Sequence, residues 1–294
     1  MLSSIFYFSF AAVIITIFCI AFARINWRGK TVTPRRVLQA LQARVQDRLQ
    51  PINEVRGVFN NFAEATAAAP RTKPLGYDAA NAENWYFDKL TRVQMEDYPV
   101  IYWLKNAFAD SSSVLEIGGH VGVAYYGFSR VMEYPRDLAW TIFDVPSVME
   151  AGEALARERS QTNLHFAHDG LDSIEGADIL MAVGALQYLE TDIAKMLCSY
   201  QQRPKHILIS ETPVYDGPKF ITLQNLGSVY CAYRVFNRQE LLSSLESIGY
   251  RLVETWAKPR CLRVPGHPDK TLDHYSGFYF RADHKQLTPS IQCR

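Results

Sequence analysis

The segment Glu116-Ile117-Gly118-Gly119-His120-Val121-Gly122 sets one acid just ahead of a glycine-rich turn. The apolar run before it has strand length and the stretch after it reads as helix, so the turn joins strand to helix. Glycines at such a junction let the backbone approach a ligand closely. A dinucleotide fingerprint, G-x-G-x-x-G, would need a glycine at position 120, where the chain carries His120. An acid on the strand side of the turn suits a ligand with an ammonium group, held by a charge-assisted contact. Asp144, followed by Val145, ends the next apolar run 22 residues beyond Gly122. A carboxylate there suits the two hydroxyls of a ribose. Asp169-Gly170 end the third run, where a carboxylate and a backbone amide can face an adenine. Each acid alone reads equally well as a cap or turn former; three on successive strand ends describe an adenosine carrying a methionine-type tail.

Methyl transfer from a sulfonium is an in-line displacement in which alignment does much of the work. An oxygen nucleophile also needs a base. The candidates at strand ends are His120 in the turn, His168 beside Asp169, and Glu211 in Ile209-Ser210-Glu211-Thr212-Pro213. Gly184, Gln187 and Tyr188 follow the fourth apolar run, where an amide and a phenol can position ligands. Plainer roles stand beside these: His120 adopting an unusual backbone angle, His168 in a turn, Glu211 capping the Thr-Pro step. Between 215 and 237, Tyr215, Asp216, Gln224, Asn225, Tyr230, Tyr233, Arg234 and Asn237 offer rings and amides of the kind that bind sugars.

The elements that must position these residues alternate. Strands are expected at Ser113–Ile117, Trp140–Phe143, Leu164–Ala167, Ile179–Val183 and His206–Ile209, with helices at about 122–134, 146–159, 190–202 and 238–248. Short apolar strands alternating with helices imply a mostly parallel, doubly wound α/β sheet with right-handed crossovers. Arg251–Trp256 and Gly277–Arg281 are expected to finish it as an antiparallel pair. Upstream, Ala63–Pro74 begins as a short helix. Residues 82–108 read as helix with Trp85, Leu90, Ile101, Leu104 and Phe108 inward and a break at Pro99.

With those segments in view, the chain resembles the class I SAM-dependent methyltransferases. More narrowly, it is similar to an uncharacterised methyltransferase family associated with bacterial surface-polysaccharide synthesis. The likeness runs over Gly57-Val-Phe-Asn-Asn-Phe, Gly76-Tyr-Asp, Asp97-Tyr-Pro-Val, Leu115 through Tyr126, Phe143-Asp-Val-Pro and Gly184-Ala-Leu-Gln-Tyr-Leu. It continues over Tyr215-Asp-Gly-Pro, Thr222-Leu-Gln-Asn, Tyr233-Arg-Val-Phe-Asn-Arg and Tyr275-Ser-Gly-Phe-Tyr-Phe, so residues 54–283 are covered. The resemblance implies a Rossmann-like fold and S-adenosyl-L-methionine (SAM) as cofactor. It places the cofactor against Glu116, Gly118, Gly119, His120, Gly122, Asp144, Val145, Asp169, Gly170, Gly184 and Gln187. Against the acid-x-G-x-G-x-G pattern of that class, His120 stands where the middle glycine belongs.

Composition adds a location. Residues 5–23 carry no charge, and roughly 20 apolar residues span a bilayer core as a helix. Arg24 and Arg28 follow at once, and no basic residue precedes, so an uncleaved single-pass anchor with the rest of the chain cytoplasmic is expected. Residues 24–56 hold eight Lys or Arg against two acids, in a chain of net charge +1. From Thr33-Pro34 to Pro51 they form an expected basic amphipathic helix suited to anionic headgroups. The organisation read from the sequence is an anchor at 4–23, a basic helix and linker at 24–53, a helical extension at 54–110, the cofactor domain at 111–283 and a tail at 284–294. The five cysteines are scattered, none spaced for a disulfide framework or zinc site, and no metal is expected. The remaining net-acidic part disfavours nucleic acid as partner; a small-molecule, glycan or lipid-linked acceptor is expected instead. A non-catalytic membrane scaffold on a degenerate methyltransferase fold is the alternative, and a nicotinamide oxidoreductase a distant third.

Overall fold

The computed structural model describes residues 25–27, 30–32, 52–80, 87–168, 170–171 and 176–283. The chain divides into two compact units, Met1–Pro51 with Pro70–Lys73, and Ile52–Ala69 with Pro74–Arg294. In the first unit, strands β1 (Ile25–Trp27) and β2 (Lys30–Val32) form an antiparallel ribbon. These residues fall in the stretch expected as linker ahead of the basic helix from Thr33, and Ile25 pairs with Val32 in the ribbon. The expected anchor at 4–23, the basic helix at 33–51 and the tail at 284–294 lie outside the described residues. No helix among the described residues is long and apolar enough to cross a membrane.

The second unit is built on a seven-stranded sheet. Its strands are β4 (Ser113–Ile117), β5 (Ala139–Phe143), β6 (Leu164–Phe166), β7 (Ile179–Val183), β8 (His206–Thr212), β12 (Tyr250–Val264) and β13 (His267–Ala282), in the order β12-β13-β8-β7-β4-β5-β6. The first five are parallel, whereas β13 runs antiparallel to β8 and β12 antiparallel to β13. This is the expected Rossmann-like, mostly parallel, doubly wound sheet. The chain leaves β4 for β5 and β6 on one side and for β7 and β8 on the other, so the ends of β4 and β7 flank a topological switch point, where such sheets bind ligands.

Both faces of the sheet are covered, and the two-residue period of a strand sorts its side chains. Leu115, Ile117, Leu180, Ala182, Ile207 and Ile209 enter one core cluster. Val114, Ile179, Met181, Leu208, Trp140 and Ile142 enter the other. Glu116 therefore follows Val114 onto the Trp140 face, a carboxyl delivered into an apolar layer by register alone. The helices are α1 (Phe62–Ala67), α2 (Tyr98–Ala107), α3 (Val123–Phe128), α4 (Pro146–Glu158), α5 (Ile193–Ser199) and α6 (Arg238–Ser247). Their starts obey local chemistry. Asn61, Asp192 and Asn237 each accept a first-turn amide, and Pro146 opens α4 with its φ already helical.

Three expectations need correction. Residues 54–110 do not form a wholly helical extension, because β3 (Val55–Phe59) is a strand. It joins β10 (Phe220–Asn225), β11 (Tyr230–Asn237) and β9 (Val214–Tyr215) in a second sheet of order β3-β10-β11-β9. The Thr222 hydroxyl donates to the Arg56 carbonyl across 166 positions, and no local signal reports a pairing that distant. The same sheet holds most of the sugar-binding candidates between 215 and 237 in strands. Finally, Pro99 starts α2 rather than breaking a longer helix, and single-turn helices at Phe87–Thr91 and Met95–Asp97 precede it. Among the cysteines, Cys231 and Cys261 are free thiols and Cys198 is disulfide-bonded, unlike the unpaired set expected.

Candidate active site

The turn after β4 is held open by residues that cannot carry a side chain. Gly118 has φ 72°, and a Cβ there would lie 2.4 Å from the Ala185 Cβ. A Cβ on Gly119 would lie 2.7 Å from the Glu116 carboxyl. His120 takes φ 55°, the left-handed conformation that a glycine adopts without cost. It thus reproduces the backbone of the glycine it replaces. Its amide donates to Asp144 Oδ2 at 2.8 Å, tying the turn to the end of β5, while the ring is buried. Gly122, also left-handed at φ 99°, starts α3.

Glu116 sits beneath this turn, 3% exposed, with Oε2 accepting from the Trp140 indole at 2.9 Å. Burial pushes its carboxyl up to about 8; the Trp140 hydrogen bond opposes the rise and the nearby Asp144 adds to it. No cation acts on it among the described residues. Asp144 is also raised by burial, against amide hydrogen bonds from Val145 and His120 that favour its charge. Two carboxyls thus flank a tight backbone cradle and call for a ligand that brings a cation to one and hydroxyls to the other. Gly170 takes φ 86° just past β6; Asp169 lies outside the described residues.

On the other side of the switch point, Gly184 continues the β7 ladder, its amide donating to the Ser210 carbonyl at 2.9 Å. Gln187 is 3% exposed, donates Nε2 to the Gly184 carbonyl at 2.7 Å, and keeps a buried Oε1 with no hydrogen-bond partner. A Cβ on Gly184 would lie 3.7 Å from the Glu211 Cβ and 4.0 Å from Gln187 Nε2. Glu116, Asp144, Gly184, Gln187 and Glu211 therefore occupy adjacent strand ends.

Glu211 stands out by its backbone. Thr212 pairs with Ser276 and Ile209 with Phe278, so Ser210 and Glu211 together oppose Gly277 in a β-bulge. Within the bulge Glu211 takes φ 52°, a conformation costing a non-glycine residue roughly 1–2 kcal/mol. Bulges re-aim side chains and cluster beside active sites. Here the carboxylate meets Lys258 Nζ at 2.6 Å, both side chains under one-fifth exposed. Burial raises the carboxyl of Asp97, and Glu211 adds to that rise. The Trp256 indole donates to the Ser210 hydroxyl at 3.1 Å, bracing the bulge from β12.

The other expected residues are placed apart or in packing. His168 forms an exposed pair with Glu153 at 2.8 Å, away from the Glu211 bulge. Asp216 pairs with Arg238 at the surface, Asn237 caps α6, and Tyr230 is fully buried. Gln224 accepts from the Tyr188 hydroxyl at 2.6 Å, and Tyr233 packs edge-on to Tyr188 with centroids 5.3 Å apart. Sequence reading missed Lys258 and Arg260, which reach the site from β12.

No family model and no curated protein matches the sequence. Among solved structures the chain is similar to the 1,6-didemethyltoxoflavin-N1-methyltransferase of Burkholderia thailandensis with bound 1,6-didemethyltoxoflavin and S-adenosylhomocysteine. That likeness has 16% identity and a TM-score of 0.46, covering 88% of this chain and 94% of that one. It is also similar to the N-terminal domain of EvdMO1 with S-adenosylhomocysteine bound, at 13% identity and TM-score 0.43, over 65% and 83% of the two chains. A third, the cyclase SpnF, has 12% identity and TM-score 0.43 over 67% and 86%. None of the three reaches 0.5, so the functional reading below rests on this chain's own residues.

Proposed function

We propose that this chain is a SAM-dependent methyltransferase, held at the cytoplasmic face of a membrane by segment 4–23, that methylates a glycan or lipid-linked acceptor of the surface-polysaccharide type. The observation that carries the cofactor reading is Glu116, a buried carboxyl under a glycine cradle with no cation of its own among the described residues. SAM fits that vacancy of charge with an ammonium, and its ribose fits Asp144. The buried Gln187 Oε1, without a hydrogen-bond partner among the described residues, is a further acceptor for ligand N–H or O–H. When bound, SAM supplies an electrophilic methyl group whose C–S electron pair leaves with sulfur.

The chain's own residues do the rest. Glu116 and Asp144 orient the donor, and the amides of the 118–122 turn bring backbone up to it. Glu211 is the base, accepting the acceptor's hydroxyl proton as the oxygen–carbon bond forms. Lys258 holds the carboxylate in position through the ion pair at 2.6 Å. The apolar segment and the basic run behind it support the membrane reading.

Calorimetric titration of the full chain with S-adenosylhomocysteine tests the cofactor half. Micromolar binding is expected, weakened at least tenfold in Glu116→Gln and Asp144→Asn; no heat at millimolar ligand would overturn the reading. Membrane fractionation of cells making the full chain or a variant lacking residues 1–23 tests the anchor, which requires that only the former sediments with membranes.

A further inference from the structure

Arg260 lies two residues beyond Lys258 on β12, hence on the same strand face. Tyr275 is the cross-strand partner of Lys258, and the Arg260 guanidinium stacks over its ring, 4.8 Å from the centroid. Behind it the Tyr233 hydroxyl donates to the Tyr275 hydroxyl at 2.9 Å, and Tyr188 donates to Gln224. This wall is neutral, and the phenol protons of Tyr233 and Tyr188 are already committed. Lys258 is balanced by Glu211 at 2.6 Å. The half-buried Arg260 guanidinium has a ring contact but neither a hydrogen bond nor an ion pair among the described residues. By contrast Arg281 and Arg238 meet Asp110 and Asp216.

A guanidinium presents five N–H donors in a planar fork that matches a carboxylate or phosphate. Half-buried donors of that kind ordinarily have acceptors. The Lys258–Glu211 pair cancels, leaving one positive charge beside the candidate base. We propose that Arg260 is the receptor for an oxyanion on the acceptor, so the substrate class is a carboxylate- or phosphate-bearing molecule whose anion docks on Arg260 while its hydroxyl faces Glu211. This rests on the acceptor-side assignment of Glu211 made above. Stacking on Tyr275 holds the fork flat and aims its edge, so Arg260 sets specificity and makes no bond to the reacting atoms.

The test uses the full chain saturated with S-adenosylhomocysteine and three probes: glucuronate, glucose 1-phosphate and neutral methyl glucoside, titrated by calorimetry. At least one anion is expected to bind and the neutral sugar not. Binding of glucuronate alone identifies a carboxylate, of glucose 1-phosphate alone a phosphate. Arg260→Gln should weaken the anion at least tenfold, and Arg260→Lys severalfold, since it keeps the charge and loses the fork. The Lys variant also carries the test if the Gln variant does not fold. Arg263→Gln, exposed on the same strand, should leave binding unchanged. Failure of both anions to bind, or equal binding to wild type and the Arg260 variants, overturns the proposal. S-adenosylhomocysteine titrated into the same samples reports the cofactor site separately, so either half can fail alone.

Discussion

Glu116 makes the stability of the ligand-free protein depend on pH in a direction opposite to that of an ordinary carboxylate. Its folded value is about 8, against 4.5 for an unperturbed glutamate. Between those limits the folded state holds a proton that the unfolded chain has released. Stability therefore falls as pH rises, by about 1.4 kcal/mol per unit. From pH 5.5 to 7.5 the loss is roughly 2.7 kcal/mol, or about 5–10 °C in Tm for a unit of this size. Other titrating groups contribute to the measured curve, so the informative quantity is wild type minus Glu116→Gln. The glutamine still accepts from Trp140 and cannot ionise. Thermal melts followed by circular dichroism at half-unit steps should show the two curves converging near pH 5 and separating upward, the variant more stable at pH 7.5. S-adenosylhomocysteine should narrow the gap by giving the ionised Glu116 a cation. Parallel curves for the two proteins would refute both the buried-proton account and the role assigned to this carboxyl.

Other expectations follow from backbone angles and close contacts. His120→Gly should melt higher than His120→Ala by about 1 kcal/mol and retain S-adenosylhomocysteine binding, since glycine adopts φ 55° freely; loss of binding in the glycine variant would show that the imidazole itself is required. Glu211→Gly should likewise exceed Glu211→Ala by about 1 kcal/mol in denaturant melts, while Glu211→Gln binds cofactor normally and shows no methyl transfer from labelled SAM to membrane extracts. Gly118→Ala meets both a positive φ and the Ala185 Cβ at 2.4 Å; chemical denaturation should show a loss of about 2 kcal/mol or more, with cofactor affinity reduced.

The central sheet was legible because its physics is local. Strand β7 is an uninterrupted apolar run and β4 is apolar but for Ser113 and Glu116, and their expected limits, 179–183 and 113–117, match those observed. The acids at 116 and 144 were found from their place at strand ends alone. The acceptor side was harder to read. Strand β12 extends well past the expected end at Trp256 because Pro259, which lacks an amide hydrogen, is tolerated on an edge strand. With the strand ended at Trp256, Lys258 and Arg260 fell outside every expected element. The β3-β10-β11 pairing depends on partners far apart in sequence, so the polar residues named between 215 and 237 proved to be strand, cap or surface. Glu211 was named as a candidate base, yet its bulge follows from the register of β8 against β13, which no window of sequence reports. His168 pairs with Glu153 on α4, a partner 15 residues away that its place after the third strand does not report.

Strand β13 is the last described strand in chain order, yet it lies inside the sheet, between β8 and β12. A ribosome extruding this chain completes the five parallel strands long before anything can pair with β8. Until residues 276–282 emerge, the apolar edge of β8 is an open template for other chains. The growing protein thus carries an unpaired strand edge for that interval, and a stop between β8 and β13 leaves that edge open for good.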